Sequence, residues 1–403
     1  MATQPSCDAV IVGAGSAGLS LALALAHAGR RVTVVDAAPA PVTPPDAPDQ
    51  WEPRVLALSP ASVGFLRGCG IGALFDGPRA GVIGRMRVRG DDGASLEFSA
   101  WDAGLDALAH IVEVGRLQHA LLRAAQAEPA ITLRHGLAPG RLVAADTHVD
   151  LVLASGESLR SPLLVGADGV GSWTRDAAGL RATRKPYGQT GVVASFECEL
   201  EHRDIARQWF RRESGGGAGA QGSVLAWLPL PGRRMSMVWS APEEQARALM
   251  QLEPAALEAE VARAGGNELG RLRLIGRAAA FPLVLMGVDH LVAPRVALVG
   301  DAAHVVHPLA GQGANLGFGD AQQLAACLAG EADIGSRRVL RAYERARAGD
   351  ILAMKAATDG LVRLFSSPSA VVARLRNTGM NLFDRVPLLK TVATRHAAGT
   401  ALW

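Results

Sequence analysis

Aromatic residues make up only 4 % of this 403-residue chain. Proteins that bind single-stranded nucleic acid stack bases on aromatic side chains, and this chain offers no such platform. Its four cysteines, Cys7, Cys69, Cys198 and Cys327, stand alone. With no Cys-x-x-Cys pair and no Cys/His cluster, neither a metal site nor a disulfide oxidoreductase is expected, and the cytoplasm is the expected compartment. The N-terminus lacks the basic start of a secretory signal. One apolar stretch, Ala9 to Ala28, tempts a membrane-span reading, but Gly13, Gly15 and Gly18 break it early. No internal repeat is present. The hydrophobic share of 49 % and charged share of 20 % are those of a globular enzyme, and the length admits two or three domains. The net charge of +3 conceals an imbalance. Residues 336–403 carry twelve Arg/Lys against four acids, an excess of eight, and the rest of the chain is acidic by five.

What is present is glycine in two patterned places. The run Asp8-Ala-Val-Ile-Val-Gly-Ala-Gly-Ser-Ala-Gly18 reads as a strand entering a Gly-x-Gly-x-x-Gly turn. Leu19 to Ala28 follow as a helix, with Gly29 as its C-cap. Arg31 to Val35 form the next strand, and Asp36 ends it eighteen residues after Gly18. An acid at that spacing is placed to bind the ribose hydroxyls of a dinucleotide; Gly13, Gly15, Ser16 and Gly18 let the pyrophosphate approach the backbone. The chain is organised around a second stretch, Arg295 to Asp320. Val296 to Val299 are an unbroken apolar run, as in a buried parallel strand. Gly300-Asp301 puts a carboxylate at the strand's carboxyl end, the edge where open α/β sheets bind ligands. Pro308 stiffens the loop, and Gly311 and Gly313 leave room beside the backbone for something flat or anionic. A helix is expected from about Ala314, on the spacing of Leu316, Leu324 and Leu328. Its N-terminal amides, around Gly311, Gln312 and Gly313, would favour an anion.

Between these stretches the pattern is mixed. Pro39 to Pro53 reads as an exposed loop, and Ser59 to about Cys69 as a helix. Val82 to Phe98 reads as two short strands about an Asp91-Asp92-Gly93 turn. Val112 to Gln118 opens a helix that runs to Ala127. Residues 187–283 are dominated by period-two alternation, which predicts an antiparallel sheet walling a chamber. Pro254 to Ala264 is helical, and Phe281-Pro282-Leu283 is a short returning strand. The glycines of 214–222 suit either a lid or a connector. From about Arg337 the chain is helical, broken at Ser366 to Ser369.

Asp301 with Gly300 resembles the second FAD motif of the aromatic-ring hydroxylases, the class A flavin monooxygenases. His307-Pro-Leu-Ala-Gly-Gln-Gly-Ala-Asn-Leu-Gly317, closed by Asp320, is similar to the signature of their ubiquinone-biosynthesis hydroxylase branch. Ser161 to Arg175 resembles the family's Asp-Gly motif, with Asp168 and Gly169 central and Ser172 and Arg175 in matching places. The resemblance covers nearly the whole chain. It implies an α/β fold in which a glutathione-reductase-like FAD-binding domain, with a Rossmann-type parallel sheet, carries an inserted antiparallel-sheet substrate domain and C-terminal helices, as in p-hydroxybenzoate hydroxylase. The flavin domain would comprise 1–75, 100–182 and 276–335, the substrate domain 76–99 and 183–275, and the helical region 336–403.

The same resemblance implies FAD as cofactor, NAD(P)H as a transient electron donor without a Rossmann domain of its own, and O2 as co-substrate. A flavin C4a-hydroperoxide would deliver OH to an aromatic ring. By this resemblance Arg54, Gln118, Asp168, Gly300, Asp301, Ala314 and Asn315 join the first glycine turn and Asp36 as cofactor contacts. Pro308, Gly311, Gln312 and Gly313 lie in the catalytic loop. The family carries Arg or Asn where Val114 stands, and either Gln118 or Arg116 would supply the missing contact. No base for the phenol is evident; His304 and His307 are expected to hold the loop, with a catalytic proton role as the alternative. The implied substrate is a prenylated phenol, with a soluble aromatic hydroxylase and a non-catalytic flavoprotein scaffold as rivals. A halogenase is disfavoured because no Trp-x-Trp-x-Ile motif occurs. A prenylated substrate implies peripheral contact with the inner membrane surface, for which the basic C-terminal region is the candidate. Val371, Val372, Leu375, Leu382 and Phe383 would form its apolar face beside Arg374, Arg376, Arg385 and Lys390. A quinone-biosynthesis complex is a candidate partner.

Overall fold

The structure is a computed structural model. It describes residues 7–44, 47, 50–90, 93–211, 222–308 and 312–366, and 390, 391, 394, 395, 398 and 399 near the C-terminus.

The Val10–Val12 run forms the centre of a mainly parallel sheet. Its strands lie in the order Val292–Ala293, Val296–Leu298, Leu163–Gly166, Ala9–Val12, Val32–Asp36 and Ile131–His135. Only the two-residue edge strand Val292–Ala293 is antiparallel. Both faces are covered, which is why these strands read as continuous apolar runs rather than alternating ones. Helix Ser16–His27 buries Leu19, Leu21, Leu23 and Leu25 beside the sheet. Each such leucine contributes about 1.5–3 kcal/mol through apolar burial. Tyr343, on the long helix Arg337–Ser366, is fully buried and donates its hydroxyl to Leu298 O at 2.8 Å.

The alternating segments form an eight-stranded sheet, in the order His304–Val305, Leu272–Val288, Ala182–Cys198, Arg234–Pro242, Ser223–Leu230, Ile205–Arg211, Arg85–Arg89 and Ser95–Ser99. Helices Glu243–Met250 and Pro254–Ala264 cover one face, over a core that includes Trp209, Trp227 and Trp239. The expected short strand Phe281–Leu283 is the middle of a 17-residue strand, Leu272–Val288. That strand passes from the antiparallel sheet towards the parallel one. There it pairs with His304–Val305 of the motif loop, Met286 opposite Val305 and Gly287 opposite His304. Two three-stranded sheets complete the fold. One is Ser158–Ser161, Val149–Leu153 and Pro139–Ala144; the other is Val55–Leu58, Ala109–Glu113 and Gly81–Ile83.

The Pro39–Pro53 loop is exposed at first but not at its end. Trp51 is buried, with the Arg79 guanidinium 4.0 Å from its ring centroid. The amphipathic segment expected beyond Ser369 lies outside the described residues, apart from Lys390. Two of the described residues near the C-terminus contact the rest of the molecule: Arg395 Nε donates to Ala103 O at 3.1 Å, and Ala61 N donates to Ala398 O at 3.2 Å.

Candidate functional site

The first glycine turn is tight for steric reasons that can be read position by position. Gly13 has φ +110, and a Cβ there would stand 2.3 Å from Ala167 O, between the end of strand Leu163–Gly166 and Asp168. A Cβ on Gly18 would lie 2.0 Å from Gly13 O. Gly15 differs: a Cβ there would meet nothing within 4 Å. It is the N-cap of helix Ser16–His27, which has no side-chain cap and no acid in its first turn. An uncapped helix N-terminus beside open space is an anion cradle. Asp36 stands next to it, taking hydrogen bonds from Ala14 N at 2.6 Å and Ala38 N at 2.8 Å. Gln118 Nε2 donates to Ala14 O at 3.3 Å. Of the two substitutes for the missing contact at Val114, Gln118 therefore lies on the turn. Arg116 instead pairs with Glu113 at 2.9 Å.

Asp168 sits beside Gly13, its carboxylate accepting from Ser172 Oγ at 2.5 Å and Thr174 N at 2.8 Å. It thereby holds the start of helix Trp173–Ala177 against the parallel sheet. Arg175 is buried and donates to Val170 O and Ala302 O, both at 3.2 Å, so the Asp-Gly motif and the Gly300–Asp301 turn are tied together.

Gly300, at φ +62, begins that turn. A Cβ would come within 3.1 Å of Ala17 Cβ; one on Gly317 would come within 3.2 Å of Gly300 Cα. The small residues let helix Ser16–His27, the turn and helix Gln312–Leu328 converge. Asp301 is exposed to solvent. Its surroundings are nonetheless dense enough that desolvation raises its pKa, with His304 and Arg54 acting in the opposite sense. An accessible carboxyl set among protein walls is what the floor of a cleft presents. Arg54 is exposed, carries its guanidinium 5.5 Å from the Phe281 ring centroid, and accepts at its carbonyl from Val114 N at 3.2 Å.

Helix Gln312–Leu328 starts two residues earlier than the leucine spacing predicts. Glycine does not forbid a first helical turn, so Gln312 and Gly313 supply helix-start amides. Asn315 spans to the neighbouring strand, taking Ser59 N and giving to Ala57 O, both at 2.8 Å. Pro308 is half-buried. Gly311 lies outside the described residues, as do Leu309 and Ala310.

His304 and His307 each make a long-range hydrogen-bond contact from the loop, with different partners. His304 Nε2 meets Asp320 Oδ2 at 2.6 Å. Asp320 is fully buried and also accepts from Gly300 N at 3.0 Å and Arg347 Nε at 2.7 Å. Burial opposes its ionisation, but His304 and Arg347 outweigh that and its pKa is lowered. His307 Nε2 meets Gln189 Oε1 of the eight-stranded sheet at 3.2 Å, and burial pushes its pKa down to about 4.

Two clusters escaped sequence reasoning. One is Asp320–Arg347, of which only Asp320 stood out as the close of a motif. The other surrounds Glu113, buried, whose carboxylate takes Glu52 N at 2.8 Å, Arg79 Nε at 3.0 Å and Arg116 Nε at 2.9 Å. It fastens the Trp51–Arg54 segment to the start of helix Val114–Ala127. Its partners are scattered along the chain, and no spacing signals them. Among the described residues no cluster of His, Cys, Asp and Glu could hold a metal.

These residues fit FAD: an uncapped helix start with open space at Gly15, an acid at the end of the next strand, and a second helix start following the Gly300–Asp301 turn, whose Asp301 is solvent-exposed. Comparison with known proteins agrees. The model of the FAD binding domain family matches residues 6–357. The 3-demethoxyubiquinol 3-hydroxylase of Escherichia coli K12 is 35 % identical, covering 99 % of this chain and 100 % of that one. Ubiquinone hydroxylase UbiL of Rhodospirillum rubrum is also 35 % identical, over 98 % and 90 %. In fold, the chain resembles p-nitrophenol 4-monooxygenase PnpA from Pseudomonas putida DLL-E4, with a TM-score of 0.76 at 20 % identity, over 98 % and 99 %. The chain therefore belongs to the FAD binding domain family and is a FAD-dependent monooxygenase of its ubiquinone-hydroxylase branch.

Proposed function

We propose that this protein hydroxylates the aromatic ring of a hydrophobic, prenylated phenol in ubiquinone biosynthesis. The observation that carries this reading is the Gly300–Asp320 stretch. It belongs to the flavin side through Gly300 and Asp301, yet hydrogen-bonds into the eight-stranded sheet through His307 and pairs with it through His304–Val305. A loop so placed has cofactor on one side and a substrate wall on the other. The full-length similarity to two ubiquinone-pathway hydroxylases supports the phenolic class of substrate.

When bound, FAD reduced by NAD(P)H supplies the chemistry that activates O2 for transfer to the ring. Gly13, Gly15, Ser16, Gly18, Asp36 and Gln118 would hold its adenosine and pyrophosphate end. Arg54, Asp168, Gly300, Asp301, Pro308, Gln312, Gly313, Ala314 and Asn315 would hold the rest. The helix-start amides at Gln312 and Gly313 favour negative charge beside the loop, by up to about 2 kcal/mol where partly buried. The antiparallel sheet excludes water from the reacting side. Residues 1–75, 100–182 and 276–335 would form the flavin domain, 76–99 and 183–275 the substrate domain, and 336–403 a helical region.

A prenylated substrate resides in a bilayer. No helix among the described residues is long and apolar enough to cross a membrane. Access therefore calls for peripheral docking, for which the basic excess of residues 336–403 is the candidate surface, in a quinone-biosynthesis complex or alone. The test is turnover by FAD-loaded protein with NADH or NADPH and a 2-prenylphenol. Mass spectrometry should find a product heavier by one oxygen, and flotation with anionic liposomes should weaken as salt rises. Hydroxylation of soluble phenolic acids in preference to prenylated phenols would overturn the substrate class.

A further inference from the structure

The substrate-side sheet carries an irregularity next to the loop segment that holds His307 and Pro308. Strand Ala182–Cys198 pairs with Leu272–Val288 up to Pro186 opposite Val284, and regular pairing resumes with Thr190 opposite Pro282. Tyr187, Gly188 and Gln189 thus stand across from Leu283 alone. Gly188 has φ +66, a conformation that favours glycine. Such bulges re-aim side chains beside functional sites. Here both flanking side chains reach His307. The Tyr187 and His307 rings meet edge to face with centroids 5.0 Å apart, and Gln189 Oε1 contacts His307 Nε2.

The hydrogen bonds settle which imidazole nitrogen carries hydrogen. Gln189 Nε2 lies 2.8 Å from Gly222 O. A carbonyl only accepts, so the amide nitrogen faces Gly222 and the amide oxygen faces His307. His307 Nε2 must therefore be the N–H. The ring is neutral near pH 7, since burial holds its pKa at about 4. Nδ1 is then a bare acceptor. His307 is 1 % exposed, and Nδ1 has no partner among the described residues. The Tyr187 hydroxyl is likewise buried without a partner of good geometry. Burial, then Asp359 on the long helix, pushes the tyrosine pKa up to about 12. Of the charged groups of the neighbourhood, Asp359 pairs with Lys185 and Arg363, and Asp359 and Arg363 act on Tyr187; burial alone accounts for the shift at His307. Buried polar atoms are almost always satisfied, and an acceptor fixed in this manner calls for a donor.

We propose that His307 Nδ1 accepts the hydrogen bond of the substrate's phenol hydroxyl, with Tyr187 packed edge to face against the imidazole and Gln189 fixing the accepting tautomer. This rests on the phenol-hydroxylase reading above. The O–H bond stays intact: accepting from it leaves more electron density on the phenol oxygen and, through it, on the ring carbon to be attacked. Tautomer and orientation are thus set by the sheet before substrate arrives.

Equilibrium dialysis of 2-prenylphenol and its methyl ether, 2-prenylanisole, against the FAD-loaded protein tests this. The wild type should prefer the phenol by roughly tenfold, the weight of one neutral hydrogen bond. His307→Gln keeps a group that can reach Gln189 but has no acceptor at the Nδ1 position, and should lose the preference. His307→Asn places an amide oxygen near that position and gives up the Gln189 contact, and should keep most of it. A residue that merely holds the loop would give the reverse order. If the wild type hydroxylates the phenol yet binds the ether equally well, the hydrogen bond is overturned and the hydroxylase reading stands. If His307→Gln retains the preference, the acceptor is another group. If the wild type neither binds nor hydroxylates any phenol, the reading of function falls, and this inference with it.

Discussion

Removing the Asp320 carboxylate should destabilise the protein more than most single substitutions. Three donors converge on it: Gly300 N at 3.0 Å, Arg347 Nε at 2.7 Å and His304 Nε2 at 2.6 Å. Asp320→Ala leaves His304, 2 % exposed, and the Gly300 amide without an acceptor. Arg347, 6 % exposed, keeps Leu316 O and the outward-facing Asp350. Breaking a buried pair by deleting one partner costs about 3–5 kcal/mol, a large part of the roughly 5–15 kcal/mol that holds a domain. With an m-value of about 3 kcal/mol/M, the urea midpoint should fall by about 1–1.7 M. Asp320→Asn preserves volume and one acceptor and separates charge from packing. It should still lose about half as much, because an amide N–H must then face one of the donors. Fluorescence-detected urea unfolding of both variants measures this, and FAD retention should fall in parallel as the Gly300–Asp301 turn loosens. If Asp320→Asn unfolds at the wild-type midpoint, the buried charge does not hold the turn, and shape alone does.

Two glycines of the first turn should respond in opposite ways. Gly18→Ala drives a methyl into Gly13 O and should compromise folding, whereas Gly15→Ala points into open space and should leave the unfolding free energy from urea titration within about 0.5 kcal/mol while lowering FAD retention on gel filtration. Normal FAD content in Gly15→Ala would count against the cradle. His307, with its folded pKa held at about 4 against roughly 6.5 unfolded, binds a proton more readily in the unfolded chain. Its contribution to stability is complete above about pH 6.5 and declines as pH falls towards 4, by up to about 3 kcal/mol. Urea midpoints of wild type and His307→Asn between pH 4 and 7 should therefore converge as the pH is lowered, and parallel curves would refute a buried neutral imidazole.

The strand–turn–helix units were legible because their signals are local. Gly13, Gly15 and Gly18 lie between two apolar strands, and Val296 to Asp301 carry strand and turn in six consecutive positions. Pro254–Ala264 had its N-terminal proline and its following glycine. Strand Leu272–Val288 was visible only at Phe281–Leu283, because Gly276 and Ala278–Ala280 blur the alternation where pairing with Ala182–Cys198 is irregular. Helix Gln312–Leu328 starts ahead of the expected Ala314, a start that the leucine spacing, beginning only at Leu316, does not signal. What the sequence did not disclose are the long-range polar bonds. His307 and Gln189 are 118 positions apart and Glu52 and Glu113 are 61 apart. Such contacts are decided by how sheets stack, and a single sequence carries no mark of them.

The seam formed by Leu272–Val288 and His304–Val305 bears on how this molecule can move. Enzymes that open and close about a hinge join their halves by linkers free to change φ and ψ. Here His304–Val305, which follows the parallel strand Val296–Leu298 closely in the chain, is itself an edge strand of the eight-stranded sheet, so drawing the two sheets apart as rigid bodies would strain that short connection or break the ladder. Substrate entry must then proceed by shifts of individual segments against a fixed frame. In amide exchange, protons on both sides of the seam should be released together, as one cooperative unit.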